Sequence, residues 1–343
     1  MINTLCILVL HATLALGIQN GVGDRLVVLN KGEASASIID VATGERVARL
    51  TTGVGPHEVV VSADRRRAVV TNYGDQQTVG TTLTVLDLGA LEVEQTLDLG
   101  DWERPHGIAF LPDGRLVVTA ETDSAVAVVD LDAGAVAFEA PTAGTLSHML
   151  AVSPDGRYTY TANMISGTVS KVDLAERRVV ASAETGPATE AVAVRPGGGE
   201  VWAASQEDGR VVVLDAGTFE EIGSLPVAGR PIRIAFTPDG KRALVTTVIG
   251  SELVVVDADA RERLGTVPLP NDPEHANAAA ASVPGGASAL PIGIAVDPDG
   301  TMAFVALMGR DQVAVVDLDR LAVVRWLDTG SMPDGIAFVS SAE

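Results

Sequence analysis

Residues 147–182 read SHMLAVSPDGRYTYTANMISGTVSKVDLAERRVVAS, and this stretch decides the fold. It holds four short runs rich in Val, Thr, Ala and Tyr, and the first two are joined by the turn sequence Ser153-Pro154-Asp155-Gly156. Runs of this kind, bounded by Pro, Asp and Gly, are typical of β-strands connected by tight turns. The stretch therefore predicts a four-stranded antiparallel sheet.

The same pattern recurs along the chain with a period of about 42 residues. Two intervals are longer: 49 residues separate His57 from His106, and 60 separate Ile232 from Ile292. Four strands per unit at this period are typical of the blade of a β-propeller. Seven equivalent positions predict seven blades: His57, His106, His148, Glu190, Ile232, Ile292 and Asp334.

The two ends of the repeat region are incomplete and complement each other. The segment 25–30 is similar to the second strand of a unit, and the segment 333–340 is similar to a first strand with nothing after it. Pairing them would complete one blade and remove two exposed sheet edges. We therefore expect an all-β, closed seven-bladed propeller over residues 24–343, in which the C-terminal strand completes the N-terminal blade.

Two phrases of the repeat point to a known family. SPDGRYTYTAN at residues 153–163 and GTVSKVDL at residues 167–174 resemble the YVTN-type repeat of bacterial and archaeal propellers, the YncE-like group. The resemblance covers about residues 25–340 and implies the propeller fold. It implies no single activity, because propellers host binding proteins, hydrolases, lyases and redox enzymes alike.

The N-terminal segment predicts export. Residues 1–23 contain an apolar stretch from Ile2 to Leu16 that is too short to span a bilayer comfortably, and we interpret it as a cleavable signal peptide. The mature chain should begin between Ile18 and Asp24 and be periplasmic or secreted, with no stable membrane span. It would lack Cys6, the chain's one cysteine, so disulfides and thiolate metal sites are excluded.

The composition narrows the set of partners. A formal net charge of −21 argues against nucleic acid, whose phosphates require Lys and Arg. Aromatic residues make up only 3% of the chain, which gives no stacking platform for single-stranded nucleic acid or sugars. We expect a monomer whose partner is a small molecule or a metal ion, with a protein partner also possible.

The equivalent positions predict a functional site at one end of the central channel. First strands begin where antiparallel second strands end, so both lie on one face, which we call the channel mouth. Blades 1 to 5 would present an arc of Asp334, His57, His106, His148 and Glu190, beside an apolar wall from blades 6 and 7. Adding 15 to each position gives companions at the ends of the second strands: Asn30, Asn72, Glu121, Asn163 and Ser205.

Three interpretations of this arc are open. Three histidines flanked by carboxylates suit zinc, copper or iron, with His57, His106 and His148 as ligands. The remaining polar residues would bind a small ligand: Asn30, Asn72, Asn163, Glu190, Ser205 and Asp334. Alternatively, the histidines are structural groups copied by duplication, or the mouth is a metal-free site for an anion or polar molecule.

An enzymatic function is the alternative to an exported binding protein. His106 and Glu121 are similar in kind and spacing to the Arg-His…Glu signature of the seven-bladed lactonases, although Pro105 stands where that family has arginine. That similarity implies a metal-assisted hydrolase or lyase, with the three histidines as ligands and Glu121 as general base. The sequence leaves open whether the protein is an enzyme.

A haem d1-type propeller is disfavoured on sequence grounds. Such a cofactor needs a basic pocket for its carboxylates, and the candidates near the mouth are limited to Arg104, Arg230, Arg233 and Arg310.

The long insertion in blade 6 lies on the same face. Residues 270–290 are rich in Ala, Gly, Pro and Asn and include Asp272, Glu274 and His275. Long loops within compact domains are usually functional or disordered, so this one is predicted to be a lid over the mouth or a disordered excursion.

Overall fold

The computed structural model describes residues 23–270, 276–281 and 288–341. Nearly all of the predicted signal peptide lies outside the described residues, and so do Asp272, Glu274 and His275 of the insertion. Among the described residues, no helix is long and apolar enough to cross a membrane.

The described chain forms seven sheets of four antiparallel strands each, which confirms the predicted propeller. From the channel outward, blade 1 contains β28 (Pro333–Val339), β1 (Arg25–Asn30), β2 (Ser35–Asp40) and β3 (Arg46–Thr51). Blade 2 contains β4 (Pro56–Val61), β5 (Arg67–Gly74), β6 (Val79–Asp87) and β7 (Glu92–Asp98). Blade 3 contains β8 (Pro105–Phe110), β9 (Leu116–Ala120), β10 (Ala125–Asp130) and β11 (Ala135–Pro141). Blade 4 contains β12 (Ser147–Val152), β13 (Tyr158–Asn163), β14 (Thr168–Asp173) and β15 (Arg178–Glu184).

The last three blades follow the same order. Blade 5 contains β16 (Thr189–Val194), β17 (Glu200–Ser205), β18 (Arg210–Asp215) and β19 (Glu221–Pro226). Blade 6 contains β20 (Pro231–Phe236), β21 (Arg242–Thr247), β22 (Glu252–Asp257) and β23 (Glu262–Pro268). Blade 7 contains β24 (Pro291–Val296), β25 (Met302–Leu307), β26 (Gln312–Asp317) and β27 (Ala322–Asp328). A 3-10 turn at Lys31–Glu33 and a one-turn helix, α1 (Ala278–Ala281), complete the described elements.

The ring closes as the sequence predicted. Strand β28 pairs antiparallel with β1, in a register that matches Val339 to Arg25 and Pro333 to Asn30. The first and last strands of the propeller therefore share one sheet: β1 is paired on both sides, and β28 forms the inner edge of blade 1 as the other first strands do in their blades.

The core is divided among the seven interfaces between adjacent blades. Each described hydrophobic cluster joins side chains of two neighbouring blades. Trp202, for example, is fully buried with Val245 and Val254 between blades 5 and 6. The second and third strands are buried on both faces, and the outermost strands alternate between exposed and half-buried residues, as in the pattern of β15. This packing leaves the inner ends of the blades free to line the channel.

Every innermost strand carries a β-bulge at the channel mouth. In blade 2, Pro56 pairs with Asn72 and Val59 pairs with Val70, so that His57 and Glu58 together lie opposite the single residue Thr71. A bulge bends its strand and redirects its side chains. The bulge is thus the local feature that allows the side chains of two consecutive residues of one strand to face the channel.

One backbone hydrogen bond recurs in all seven blades and defines a second set of mouth residues. The residue two before each predicted position has a positive φ. Its carbonyl accepts the N–H of a residue that lies near the end of the second strand or directly after it. In blade 2, for example, Tyr73 donates to Gly55 at 3.1 Å. The predicted positions form the first tier. The residues fixed by this bond form the second tier: Lys31, Tyr73, Glu121, Met164, Gln206, Val248 and Met308.

The second tier corrects the companion positions inferred from the sequence. The spacing between tiers is 15 residues in blade 3, from His106 to Glu121, but 16 in blades 2 and 4 to 7, as from His57 to Tyr73. The first turn of blade 3 is one residue tighter, since Leu111 bonds Arg115 there. In a strand, a shift of one residue moves a side chain to the opposite face. The companions Asn30, Asn72, Asn163 and Ser205 therefore lie one residue short of the mouth.

Candidate functional site

The three histidines of the first tier lie in contact with one another. The ring centroid of His106 is 4.2 Å from that of His57 and 3.6 Å from that of His148. Residue exposure is 0% for His106 and 9% for His148, and the side chain of His57 is 12% exposed. The bulges of blades 2, 3 and 4 thus bring three imidazoles into one nearly buried cluster.

A carboxylate orients each of the two outer imidazoles. His57 Nδ1 lies 2.6 Å from Asp334 Oδ2, and His148 Nδ1 lies 2.6 Å from Glu121 Oε1. Glu190 is 3.4 Å from the other ring nitrogen of His148. Contact with a carboxylate at Nδ1 fixes the orientation of an imidazole and directs its Nε2 elsewhere.

The central imidazole has no such partner. Both ring nitrogens of His106 are buried and make no hydrogen bond, and Oδ1 of the buried Asp334 is likewise unpartnered. A buried polar atom without a partner costs about 1–3 kcal/mol, so native proteins rarely keep one without a reason. Unused electron pairs on nitrogen and carboxylate oxygen therefore occur within one cluster.

The protonation of the cluster is uneven. Burial lowers the pKa of His57 and lowers that of His106 well below its ordinary value, so both are neutral near pH 7. Burial also acts to lower the pKa of His148, but its hydrogen bonds to Glu121 and Glu190 outweigh this effect and raise the pKa to about 9. His148 is therefore an imidazolium at pH 7.

The carboxylates of the cluster are ionised. Burial alone would raise the pKa of Asp334, Glu121 and Glu190. The neighbouring histidines, with Lys31 beside Asp334 and Arg233 beside Glu190, outweigh burial and hold all three pKa values below the ordinary range.

Three second-tier side chains that the sequence did not predict contact the histidines or their carboxylates. The Tyr73 ring lies 5.1 Å from His57 and 5.5 Å from His106 between centroids, and its hydroxyl donates to Glu121 Oε2. The Lys31 ammonium lies 3.1 and 3.3 Å from the two ring nitrogens of His57 and 3.3 Å from Asp334 Oδ2. Gln206 donates to Glu190 in the same way.

Arg233 closes the channel beneath the histidines. It lies next to the first-tier position of blade 6 and donates to Glu190 Oε1 at 3.2 Å. It also reaches Glu58 Oε1 of blade 2 at 2.5 Å. Blades 2 and 6 are not neighbours in the ring, so this ion pair crosses the channel. Blade 6, whose first-tier position predicted an apolar wall, therefore contributes a buried cation, and this cation is one of the four arginines that the sequence placed near the mouth.

These additional residues had weak sequence signals. Glu58 and Arg233 directly follow first-tier positions, and only a bulge brings such neighbours to one side of a strand. Tyr73 begins the hairpin in which blade 2 carries most of its extra length, which was the one available signal.

The predicted ligand-binding asparagines are engaged inside their own blades. Asn163 accepts from Ser147 Oγ at 2.9 Å and donates to Ser170 Oγ and Thr168 Oγ1 at 2.9 and 3.1 Å. Asn30 and Asn72 make equivalent bonds to third-strand hydroxyls and to a backbone N–H. Ser205 donates to Pro187 O at 2.7 Å. The geometry favours a structural role for all four, and their ligand-binding role stays a prediction that it does not support.

We expect Asn163→Ala to destabilise the protein without weakening ligand binding at the mouth. The substitution leaves buried hydroxyls of Ser147 and Ser170 without their shared partner, at a cost of about 1–3 kcal/mol. Urea unfolding would measure the loss of stability, and a zinc titration would measure binding. Loss of binding in a variant that remains folded would assign Asn163 to the ligand site instead.

Glu121 is poorly placed to act as a general base. One carboxylate oxygen contacts His148 and the other accepts from Tyr73, and the residue is only 2% exposed. Because its pKa is lowered, it is a weak base. The catalytic role remains a prediction, and the contacts favour positioning of His148.

The described part of the blade 6 insertion contacts both blade 6 and blade 7. Asn277 donates to Met308 O at 2.8 Å, Ser288 donates to Val248 O, and Pro270 and Ser288 form a β-bridge. Met308 and Val248 belong to the second tier, so these anchoring contacts lie at second-tier positions. Whether the insertion covers the opening stays a prediction.

Comparison with known protein families assigns the chain to one of them. A family model described as the cytochrome D1 heme domain matches residues 110–340, which is more than half of the chain. The chain belongs to the cytochrome D1 heme domain family. The matched part of this D1 family member includes Glu121, His148, Glu190, Arg233 and Asp334, and it begins after His57 and His106.

One solved structure shows the same fold. Hydrazine synthase of Kuenenia stuttgartiensis is 18% identical, the match covers 85% of this chain and 92% of that chain, and the TM-score is 0.70. At this identity the likeness concerns the fold alone. A search of curated proteins finds no match.

The D1 family is not the group that the repeat motifs had suggested. The propeller architecture implied by the YVTN-type resemblance is correct, whereas membership of that group and of the lactonases is unconfirmed. The sequence argument against a d1-type propeller rested on the few arginines near the mouth. It ranked low the family that the chain in fact matches.

Proposed function

We propose that this D1 family propeller binds a divalent transition metal ion at the channel mouth through His57, His106 and His148. The observation that carries the proposal is His106, whose two ring nitrogens are fully buried without a hydrogen-bond partner between two other imidazoles. A metal ion would use an electron pair that nothing in the protein uses.

The environment of the outer histidines supports this function. Metal-binding histidines usually donate their second ring N–H to a carboxylate, which orients the ring and raises its basicity. Asp334 and Glu121 stand in that relation to His57 and His148. Among the described residues, no three His, Asp or Glu side chains form a ready-made ligand set. Binding would therefore require small rotations, with the Nε2 of His148 turning away from Glu190.

The charge of the cluster favours a cation over an anion. Three cationic groups face four carboxylates, a net formal charge of −1: Lys31, His148 and Arg233 against Glu58, Glu121, Glu190 and Asp334. Every one of these cations is already within 3.4 Å of a carboxylate. An anionic ligand would have to displace a carboxylate, whereas a metal ion could displace the proton of His148.

The family description raises haem as a second candidate, and we tested whether the residues fit it. An unpartnered imidazole such as His106 suits the iron of a haem. The macrocycle does not fit, since His106 is 0% exposed and three other rings, those of His57, His148 and Tyr73, lie within 5.5 Å of it between centroids. The carboxylates around the mouth would also repel the acidic groups of a haem. We therefore assign no haem chemistry to this cluster.

The proposed site belongs to an exported binding protein. Export still rests on the N-terminal sequence, and the lactonase-like alternative would need a base freer than Glu121. We propose zinc, copper or iron as the metal, because imidazole and carboxylate ligands suit these ions.

Titration of the untagged mature protein with zinc and with copper tests the proposal, with hemin titrated in parallel. We expect one metal ion per chain by calorimetry and no shift of the hemin Soret band. Absence of metal binding would overturn the proposal, and a stoichiometric hemin complex would replace it with the haem alternative.

Metal affinity should rise with pH up to about 9. His148 must lose its proton to ligate, and because its pKa is raised to about 9, protons compete with the metal throughout the range below that value. One displaced proton predicts about a tenfold gain in affinity per pH unit between pH 6.5 and 8.5. The stability of the metal-free protein should change in the opposite sense, since a raised pKa contributes stability that is lost as pH rises through 9.

Calorimetry at several pH values would measure the first effect, and urea unfolding of the metal-free protein would measure the second. Affinity that does not change between pH 6.5 and 8.5 would show that His148 is not a ligand.

A further inference from the structure

The ammonium of Lys31 places a positive charge within the cluster proposed to bind metal. Its ammonium lies within 3.3 Å of both ring nitrogens of His57 and of Asp334 Oδ2. We propose that Lys31 is a built-in competitor: its ammonium occupies part of the metal position when no metal is bound, and it must leave before the metal enters. This inference rests on the proposed metal binding and names what regulates its affinity.

The groups around this ammonium, an imidazole and a carboxylate, are of the kinds that bind metal ions. An ammonium can donate hydrogen bonds but cannot accept them. Because Nδ1 of the neutral His57 faces Asp334, the electron pair left for Lys31 on this ring is that of Nε2, which a metal would also use. At Asp334 it supplies the positive charge that a bound metal would supply. Lys31 and a divalent cation therefore compete for the same partners.

The side chain is able to leave. Lys31 is 28% exposed, whereas Asp334 is 0% exposed and the Arg233 side chain, bound to two carboxylates, is 8% exposed. The backbone of Lys31 is held by the recurring hydrogen bond to Met332 O at 3.0 Å. A flexible four-carbon stem on a fixed backbone can swing into solvent without disturbing the blade.

The other two lysines of the chain differ from Lys31 and supply a control. Lys171 is buried under Tyr158 and donates to Ala216 O at 2.6 Å, and so serves the packing of blades 4 and 5. Lys241 is 75% exposed beside Asp239 in a turn. Lys241→Met makes the same change as Lys31→Met at a position away from the mouth: it removes one positive charge and keeps an unbranched side chain of similar length.

Zinc titration of four proteins tests the inference: wild type, Lys31→Met, Lys31→Arg and Lys241→Met. We expect Lys31→Met to bind zinc at least tenfold more tightly than wild type, because both the competing occupant and a like charge are removed. Lys31→Arg and Lys241→Met should stay within about threefold of wild type. Lys31→Gln, which keeps a polar group beside Asp334, replaces Lys31→Met if the latter does not fold.

The outcomes separate this inference from the function on which it rests. Zinc binding by wild type with equal or weaker binding by both neutral variants would overturn the role of Lys31 and leave the metal site standing. No zinc binding by any of the proteins would overturn the metal site and the inference with it. Binding by the neutral variants alone would support the role of Lys31 but would overturn metal binding as a function of the wild-type chain.

The rate at which an amine-acylating reagent modifies Lys31 provides a second test. This rate would not respond to zinc if Lys31 had only a structural role. Metal binding should move the Lys31 ammonium into solvent, so its acylation, followed by mass spectrometry, should become at least severalfold faster when zinc is added. The rate at Lys241 should not change. Unchanged or slower acylation of Lys31 in the zinc-bound protein would contradict displacement.

Discussion

His106→Ala should weaken zinc binding by more than tenfold while leaving the metal-free protein as stable as wild type or more stable. The expected loss of affinity follows from the removal of the central ligand, which lies between the other two imidazoles. The expected stability follows because the variant also removes two buried nitrogens that have no hydrogen-bond partner. Function and stability would thus change in opposite directions, as is common at sites built for a ligand.

A structural histidine would behave differently. If His106 only packed the channel, its truncation would destabilise the fold by about 2 kcal/mol or more, as large-to-small core substitutions do. His106→Leu controls for the cavity that alanine leaves, because it restores most of the volume without a ligand atom. His275→Ala, at a histidine outside the seven repeat positions, controls for loss of a histidine as such. Calorimetric zinc titration and urea unfolding of the same proteins would decide between the two roles.

Ending the chain after Gly330 should prevent folding to a soluble, cooperative structure. The truncation removes β28, the innermost strand of blade 1, and with it the buried side chains of Ile336 and Val339 and the pairing with β1. Burial of each large apolar side chain contributes about 1.5–3 kcal/mol, and the unpaired edge of β1 would be open to aggregation. The summed loss is comparable with the total stability of an ordinary domain.

A chain ended after Ser341 is the matched control, because it keeps all of β28. Gel filtration and thermal unfolding of both proteins would measure the difference. A monomeric truncated protein with the melting temperature of the control would show that the ring does not depend on this strand.

The fold could be predicted because its signals are local and repeated. Each first turn is marked by residues such as Pro154, Asp155 and Gly156, and seven copies of one pattern average out the ambiguity of any single strand. An aspartate also recurs at the ends of the third strands, where its carboxylate accepts hydrogen bonds from the backbone of the following turn. Asp215, for example, accepts from the N–H groups of Gly217 and Thr218. Closure could be predicted because a single first strand at one end and a unit without its first strand at the other end complete each other only in a ring.

The candidate site could be predicted only in part. The first tier was found because a repeated position keeps its place on every blade, and His57, His106, His148, Glu190 and Asp334 do meet at the mouth. The second tier was missed in most blades because a one-residue difference in a turn reverses the face of a strand. Blade 3 gave Glu121 correctly, since its tighter turn made the assumed spacing true there.

Contacts across the channel could not be read from a repeat at all. The pairing of Arg233 with Glu58 joins blades that are far apart in sequence and are not adjacent in the ring. Repeat analysis compares equivalent positions, whereas this pair joins residues of different blades whose side chains happen to meet over the axis. Only the diameter of the closed ring, which depends on all seven interfaces, determines that they touch.

The pairing of β28 with β1 also sets the order of events during folding. Asp334 reaches Lys31 across 303 residues of sequence, and the same carboxylate orients His57. A partly folded chain in which β28 has not yet paired with β1 has the three histidines but lacks the group that aligns one of them. Loading of metal would therefore follow closure of the ring. A loaded ion would in turn hold the two termini together and slow the opening of the ring.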